Sequence, residues 1–278
     1  MNRVTPKYKW LAQLAGAACL LGACASGSTP APAPPRHVFV IVMENRSPAE
    51  ALTGAYTASL ASRYGVADDY HAVAHPSVPN YLALTSGSTW GVTDDGYHPL
   101  PTADLGDQLT AAGVSWRAYM EGMGPAGCLN SPLPYDPGHD PFAFYGGRCP
   151  PNVVPLTALA GDLAANTPRL SWIAPDRCHD QHDCAVSVGD DWLRQEVGAI
   201  MLSKAWLGGG VLFITWDEDD GSDANHVLTL VVAPGGSHAV SHRPYTHYSL
   251  LATIEDLMGV KRLGQAARAM TMSDLVSA

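Results

Sequence analysis

Three strand-length runs, HVFVIVM at 37–43, LSWIA at 170–174 and VLFITW at 211–216, are apolar at nearly every position. A strand with one wet face alternates apolar and polar residues, because successive side chains point to opposite faces. Runs without that alternation must be covered on both sides, as strands are in a parallel sheet flanked by helices. Helical patterning fills the intervals at about 48–64, 79–85, 103–112, 155–165, 189–206 and 247–258, with a further strand at 114–119. In the last helix Leu250, Leu251, Ile254 and Leu257 share one face. The expected fold is α/β, a mainly parallel sheet sandwiched between helices. Only ten residues, 217–226, separate the strand at 211–216 from the next at 227–233. That is fewer than the roughly dozen a helical crossover needs, so 227–233 should run antiparallel. No internal repeat or second-domain boundary is visible, although 121–151 is a long Gly/Pro-rich insertion.

The N-terminus reads as a targeting segment. Arg3, Lys7 and Lys9 precede twelve mostly apolar residues, 10–21, too few to span a bilayer. LGAC at 21–24 resembles the bacterial lipobox, in which the cysteine is lipidated; an ordinary secretory cleavage is the alternative. Residues 1–23 are thus expected to be a lipoprotein signal peptide, with Cys24 as lipid anchor. Residues 24–35, rich in Pro, Ala and Ser, form a tether, and 36–278 the folded domain. This implies an exported, membrane-anchored protein of the cell envelope. Beyond Cys19 and Cys24, four cysteines remain, an even number that suits disulfides in an exported chain. Sequence distance favours Cys128 with Cys149 and Cys178 with Cys184. A zinc site is the weaker reading, since no C-x-x-C pair occurs.

Each apolar run ends in acid. Glu44 and Asn45 follow the first, Asp176 the second, and Asp217 with Glu218 the third. Most acids at strand ends are simply solvated. Parallel strands, however, bring their carboxyl ends to one edge, where ligands bind. Carboxylates gathered there repel one another unless protonated or neutralised, and a divalent cation neutralises them. A formal charge of −10, from 16 basic and 26 acidic residues, argues against a nucleic-acid-binding surface. It leaves room for small phosphorylated ligands, because a bound cation reverses the local field.

A second cluster is HPSVPNY at 75–81. A helix starting near Pro79 places Ser77 at or just before its N-terminus, where free N–H groups favour an anion. Taken alone, Ser77 is equally a plain N-cap. Six of the eleven histidines, His75, His179, His182, His226, His242 and His247, neighbour these motifs.

Five blocks, HVFVIVMENRSP (37–48), HPSVPNYLALTSGST (75–89), SWIAPDRCHDQHDC (171–184), LFITWDEDDGSDANHV (212–227) and YTHYSLLATIEDLMG (245–259), resemble in order the bacterial phosphoesterase family. That family, of acid phosphatase and phospholipase C type, belongs to the alkaline phosphatase superfamily. The resemblance implies a metal-dependent phosphoric ester hydrolase with an alkaline-phosphatase-like sheet. It implies Ser77 as nucleophile, passing through a phosphoserine. Glu44, Asn45, Ser77, Asp217 and Glu218 match the ligands of one divalent metal, and oxygen donors suit magnesium, calcium or manganese, with zinc as the alternative. His179, His182 and His226 match histidines around the phosphoryl group, while Asn80, His75 and His247 match substrate-binding positions. Asp217-Glu218 replaces the Asp-His pair of two-zinc members, which puts a full second zinc site in doubt. The implied substrate is a small phosphate ester or phospholipid head group, with membrane contact through the N-terminal lipid. A phospholipase C-type phosphodiesterase and a non-catalytic phosphate- or metal-binding lipoprotein are the alternatives.

Overall fold

A computed structural model of the chain describes residues 1–3 and 37–276. Residues 4–23 of the expected signal segment, the tether and Cys24 lie outside the described residues. Contacts divide the chain into units Met1–Pro34 and Pro35–Ala278, and the second carries the fold.

Strand β1 (Val38–Met43) is buried at all six positions, which requires cover on both faces. It is followed by helices α1 (Pro48–Ala51) and α2 (Ala55–Ala61), short strands β2 (Gly65–Ala67) and β3 (Tyr70–His71), and helix α3 (Ser77–Ser86). Next come α4 (Leu105–Ala111), β4 (Trp116–Met120), β5 (Val153–Pro155), α5 (Leu159–Ala164) and β6 (Leu170–Ala174). The chain then forms α6 (Val186–Leu202), α7 (Lys204–Leu207), β7 (Val211–Trp216), β8 (Thr229–Val232), β9 (Ala239–Ser241), β10 (Tyr245–Thr246), α8 (His247–Met258) and α9 (Ser273–Val276).

Among the described residues the main sheet has eight strands in the order β5-β4-β6-β1-β7-β8-β2-β9. β5, β4, β6, β1 and β7 are parallel, whereas β8 runs antiparallel to both neighbours, β7 and β2. The fold is therefore the expected α/β class, including the reversed strand. Helices pack as α3 with α8 and α4, and as α2 with α6. Register places Met43 opposite Trp216, so Glu44 and Asp217 leave the sheet at the same level.

The expected single helix at 48–64 is two helices. Gly54 lies between them because the Asp190 carboxylate of α6 fills the space where a side chain would stand, 2.6 Å from an added Cβ. Asp190 accepts the N–H groups of Tyr56 and Thr57, both at 2.8 Å, and so caps α2. Likewise the expected helix at 155–165 starts later. Pro155 ends β5, whose three residues are too few to show a period.

Candidate active site

The first residue of α3 is Ser77. All ten residues of this helix are buried, so its N-terminus is fixed by packing on every side. Ser77 Oγ lies 3.0 Å from Glu44 Oε2 and 3.2 Å from Glu218 Oε1. Its hydroxyl thus joins carboxylates from the ends of β1 and β7. Asn45, with φ of 41°, turns the chain sharply after β1. Its side-chain amide donates to Glu218 Oε1 at 3.1 Å and its backbone N–H to Asp217 Oδ1 at 3.4 Å. His75 places Nδ1 2.7 Å from Glu218 Oε2 and Nε2 3.2 Å from Asp219 Oδ1, and its side chain is 46% exposed at the rim.

Burial sets the electrostatics. It raises the Glu44 carboxyl well above its ordinary range, and the charges of Asp217 and Asp180 raise it further. Asp217 is pushed up to about 8, by burial first and then by Glu218. Burial also raises Glu218, against the opposing pull of His75. Two buried acceptor oxygens, Asp217 Oδ2 and Asn45 Oδ1, receive no hydrogen bond. Orphaned oxygens beside repelling carboxylates are the donor set a hard cation satisfies, so the residues present fit a divalent metal.

Three residues join this centre that the sequence motifs had not singled out. Tyr81, one helical turn after Ser77, donates its hydroxyl to Glu44 Oε1. His139 lies buried with Nε2 3.5 Å from the same oxygen and Nδ1 3.1 Å from Asp180 Oδ2. Burial disfavours its charged form, but the hydrogen bond and charge of Asp180, then Asp136 and Asp217, outweigh that and raise its pKa. Asp180 also accepts the Glu44 N–H through its carbonyl, at 2.9 Å. The helical spacing exposes Tyr81 to inspection, and Asp180 sits inside the CHDQHDC block. His139 carried no signal, because it lies in the Gly/Pro-rich insertion.

Other expected site residues are placed elsewhere. His179 lies with Glu121 and Asp176, its Nδ1 3.0 Å from Glu121 Oε2, and stacks on Trp192. His182 is held by Arg177 and Asp183. His226 stacks on His71 and bonds to Asp223 and the Asp68 carbonyl. None of these three meets Ser77 in the contacts of the described residues. Asn80 is fully buried, accepting from Val73 and Ala74 N–H and donating to the Ala74 and Pro76 carbonyls. Its amide is used up holding the loop that delivers Ser77, so no donor remains for phosphate. His247 is buried too, its Nε2 2.5 Å from the Asp217 carbonyl and its Nδ1 3.0 Å from the Tyr70 hydroxyl. Burial pushes it down to about 4, so the neutral ring anchors the backbone of Asp217 instead of facing substrate. The Val78 N–H at the start of α3 is taken by Asp95 Oδ1 at 3.1 Å. Both expected disulfides are formed, Cys128–Cys149 and Cys178–Cys184.

A model of the family described as "Phosphoesterase family" matches residues 50–261. A phosphatidylinositol-3-phosphatase of Mycobacterium tuberculosis is 30% identical over 248 residues, covering 86% of this chain and 82% of that one. A phosphate-repressible acid phosphatase of Penicillium chrysogenum is 27% identical over 71% of this chain, which spans only 52% of that relative. Among solved structures, an alkaline phosphatase superfamily protein from Vibrio parahaemolyticus matches with a TM-score of 0.61 and 12% identity, over 86% of this chain and 71% of that one. At that identity the likeness speaks for the fold.

Proposed function

The chain belongs to the phosphoesterase family and is a phosphoric ester hydrolase, and from this we propose a metal-dependent, acid phosphatase-like hydrolysis with Ser77 as nucleophile. The observation that carries the reading is the Ser77 hydroxyl, 5% exposed, held between Glu44 and Glu218 at the mouth of a buried helix. A serine hydroxyl is a poor nucleophile unless something lowers the cost of losing its proton. Glu44, Asn45, Ser77, Asp217 and Glu218 would hold one divalent cation, which when bound supplies the positive charge that favours the alkoxide and the phosphoryl oxygens.

The chain's own part is orientation and proton movement. Ser77 gives up its proton to one of the two carboxylates it donates to, Glu44 or Glu218, as Oγ attacks phosphorus and the bond to the leaving oxygen breaks, forming a phosphoserine that water later cleaves. Glu44 and Glu218 fix the direction of attack. His75, half-exposed between Glu218 and Asp219, would protonate the leaving oxygen through Nε2 once that nitrogen turns from Asp219, and then take a proton from water. His179, His182 and His226 make no contact with Ser77, Glu44 or Glu218 among the described residues, so His75 is preferred to them for this role.

The name of the mycobacterial relative favours a phosphoinositide head group as a second substrate class. We also infer export, which suits the two disulfides, with membrane anchoring through Cys24. No described helix is long and apolar enough to cross a membrane.

The test is a substrate panel of nitrophenyl phosphate, bis-nitrophenyl phosphate and vesicles carrying phosphatidylinositol 3-phosphate, each with and without chelator. Hydrolysis of the monoester that chelation abolishes and added cation restores is expected. Monoester cleavage indifferent to chelation would overturn the metal-dependent reading, and diester cleavage alone would move the chain to the phosphodiesterases.

A further inference from the structure

Val78 follows the proposed nucleophile directly, and its N–H opens α3 beside Ser77, where an incoming phosphoryl oxygen would accept from it. Pro79, the next residue, has no N–H, so the first turn has one donor fewer to offer an anion. The Val78 donor is already taken, by Asp95 Oδ1 at 3.1 Å. Asp95 is itself exposed. Glu218, raised first by burial, is raised further by the charge of Asp95, which therefore stands at the mouth of the same site.

Asp95 is carried by a loop that is fixed on both sides of its tip. Before the tip, Trp90 donates its indole N–H to Ser86 Oγ at 2.9 Å, and Val92 packs on a small core of Val78, Leu82, Phe144 and Tyr145. After it, Tyr97 donates its hydroxyl to the Ala143 carbonyl at 3.1 Å, and its ring lies against Phe144. Residues 93–96 between them are exposed. Asp94 bonds within the loop, to the Gly96 N–H and to His98. Among the described residues, the bond from Asp95 to Val78 is the only hydrogen bond between this tip and the rest of the fold.

A phosphoryl oxygen and the Asp95 carboxylate need the same N–H and carry charge of the same sign, so each excludes the other. We propose that Asp95 is a built-in competitor of the substrate: its carboxylate holds the anion position beside Ser77 in the resting enzyme, and phosphate binds as Asp95 leaves Val78. The fixed flanks limit the movement to the exposed tip, and a single hydrogen bond is broken. An anion therefore enters only if its contacts around Ser77 outweigh those of the internal carboxylate. This inference rests on the reading of Ser77 as the centre that binds phosphate, so the test must separate the two.

The experiment titrates inorganic phosphate by calorimetry into the full chain, supplied with the divalent cation that supports hydrolysis, as wild type, Asp95→Asn and Asp95→Ala. The phosphate Kd should fall about fivefold or more in Asp95→Ala, the scale of one charge at a helix N-terminus. Asp95→Asn keeps an acceptor for Val78 without the charge, and its Kd should fall partway. The KM for nitrophenyl phosphate should fall in step. Phosphate binding that is unchanged or weaker in Asp95→Ala would reduce Asp95 to a helix cap, overturning the competitor and leaving the Ser77 reading standing. No phosphate bound by the wild type or either variant would overturn both.

Discussion

A serine hydroxyl in water is inert toward phosphate esters, so the reactivity argued for Ser77 resides in its neighbours. Glu44 and Glu218 are within 3.2 Å of its oxygen, and the buried acceptors Asp217 Oδ2 and Asn45 Oδ1 lack donors. Ser77→Ala removes the attacking atom and leaves a side chain of similar size on a helix whose packing does not depend on the hydroxyl. Turnover of nitrophenyl phosphate should fall at least about a hundredfold while the melting temperature stays within a few degrees. Steady-state kinetics beside a thermal melt checks both, and near-normal turnover would remove Ser77 from the mechanism. At this scale the sequence was informative where a residue's position follows from strand order. Glu44, Asn45, Asp217 and Glu218 end neighbouring strands, and their convergence could be read in advance. Side chains on long loops were not legible in the same way. His139 arrives from an insertion without periodicity, and His179 and His182 lie within a correctly identified block, yet their rings are held by Glu121 and by Arg177 with Asp183 and do not touch Ser77.

Among the elements, the loop after β6 connects the site to the rest of the fold. Cys178–Cys184 closes it, Arg46 donates to its Gln181 and Cys184 carbonyls, and Gly189 of α6 lets it approach, since a Cβ there would stand 2.6 Å from the His179 carbonyl. Within the ring, Asp180 holds both the Glu44 backbone and His139. A ring this short contributes roughly 2 kcal/mol in the chain-entropy model. Its larger effect is to fix Asp180. Replacing Cys178 and Cys184 together with serine should therefore lower kcat by a larger factor than the modest loss in melting temperature suggests. Intact turnover with lost stability would make the bridge a structural staple only. Helix α8 offers a separate test. Burial pushes Glu255 from its ordinary 4.5 up to about 8, against the Leu263 N–H that it accepts at 2.7 Å. Between those pH values the unfolded chain has released a proton that the folded chain keeps. The associated stability is full below about pH 4.5 and is lost as pH rises through 8. Glu255→Gln keeps an acceptor for Leu263, so its melting temperature should fall less than wild type across that window. Parallel melting curves from pH 4 to 9 would contradict the assignment.

For the whole molecule, the arrangement that matters is four parallel strands, β4, β6, β1 and β7, delivering acids to one edge while β8 turns back beside β7. Both features were readable from uninterrupted apolar runs and from a connection too short for a crossover. The two- and three-residue strands β2, β3, β5, β9 and β10 were not, because a period cannot show in so few residues. The net charge of −10 is partly concentrated where burial raises carboxyl groups, so the acidic edge calls for a cation while the phosphate it would receive is itself an anion. All of this converges on one covalent event at Ser77. The most direct measurement is acid quenching of metal-loaded enzyme within its first turnovers on nitrophenyl phosphate, followed by proteolysis and mass spectrometry of the peptide spanning 75–89. A single phosphoryl group on Ser77, absent from Ser77→Ala and lost when the reaction runs to completion, is the predicted result. Rapid hydrolysis with that peptide never modified, across quench times that resolve a single turnover, would contradict it.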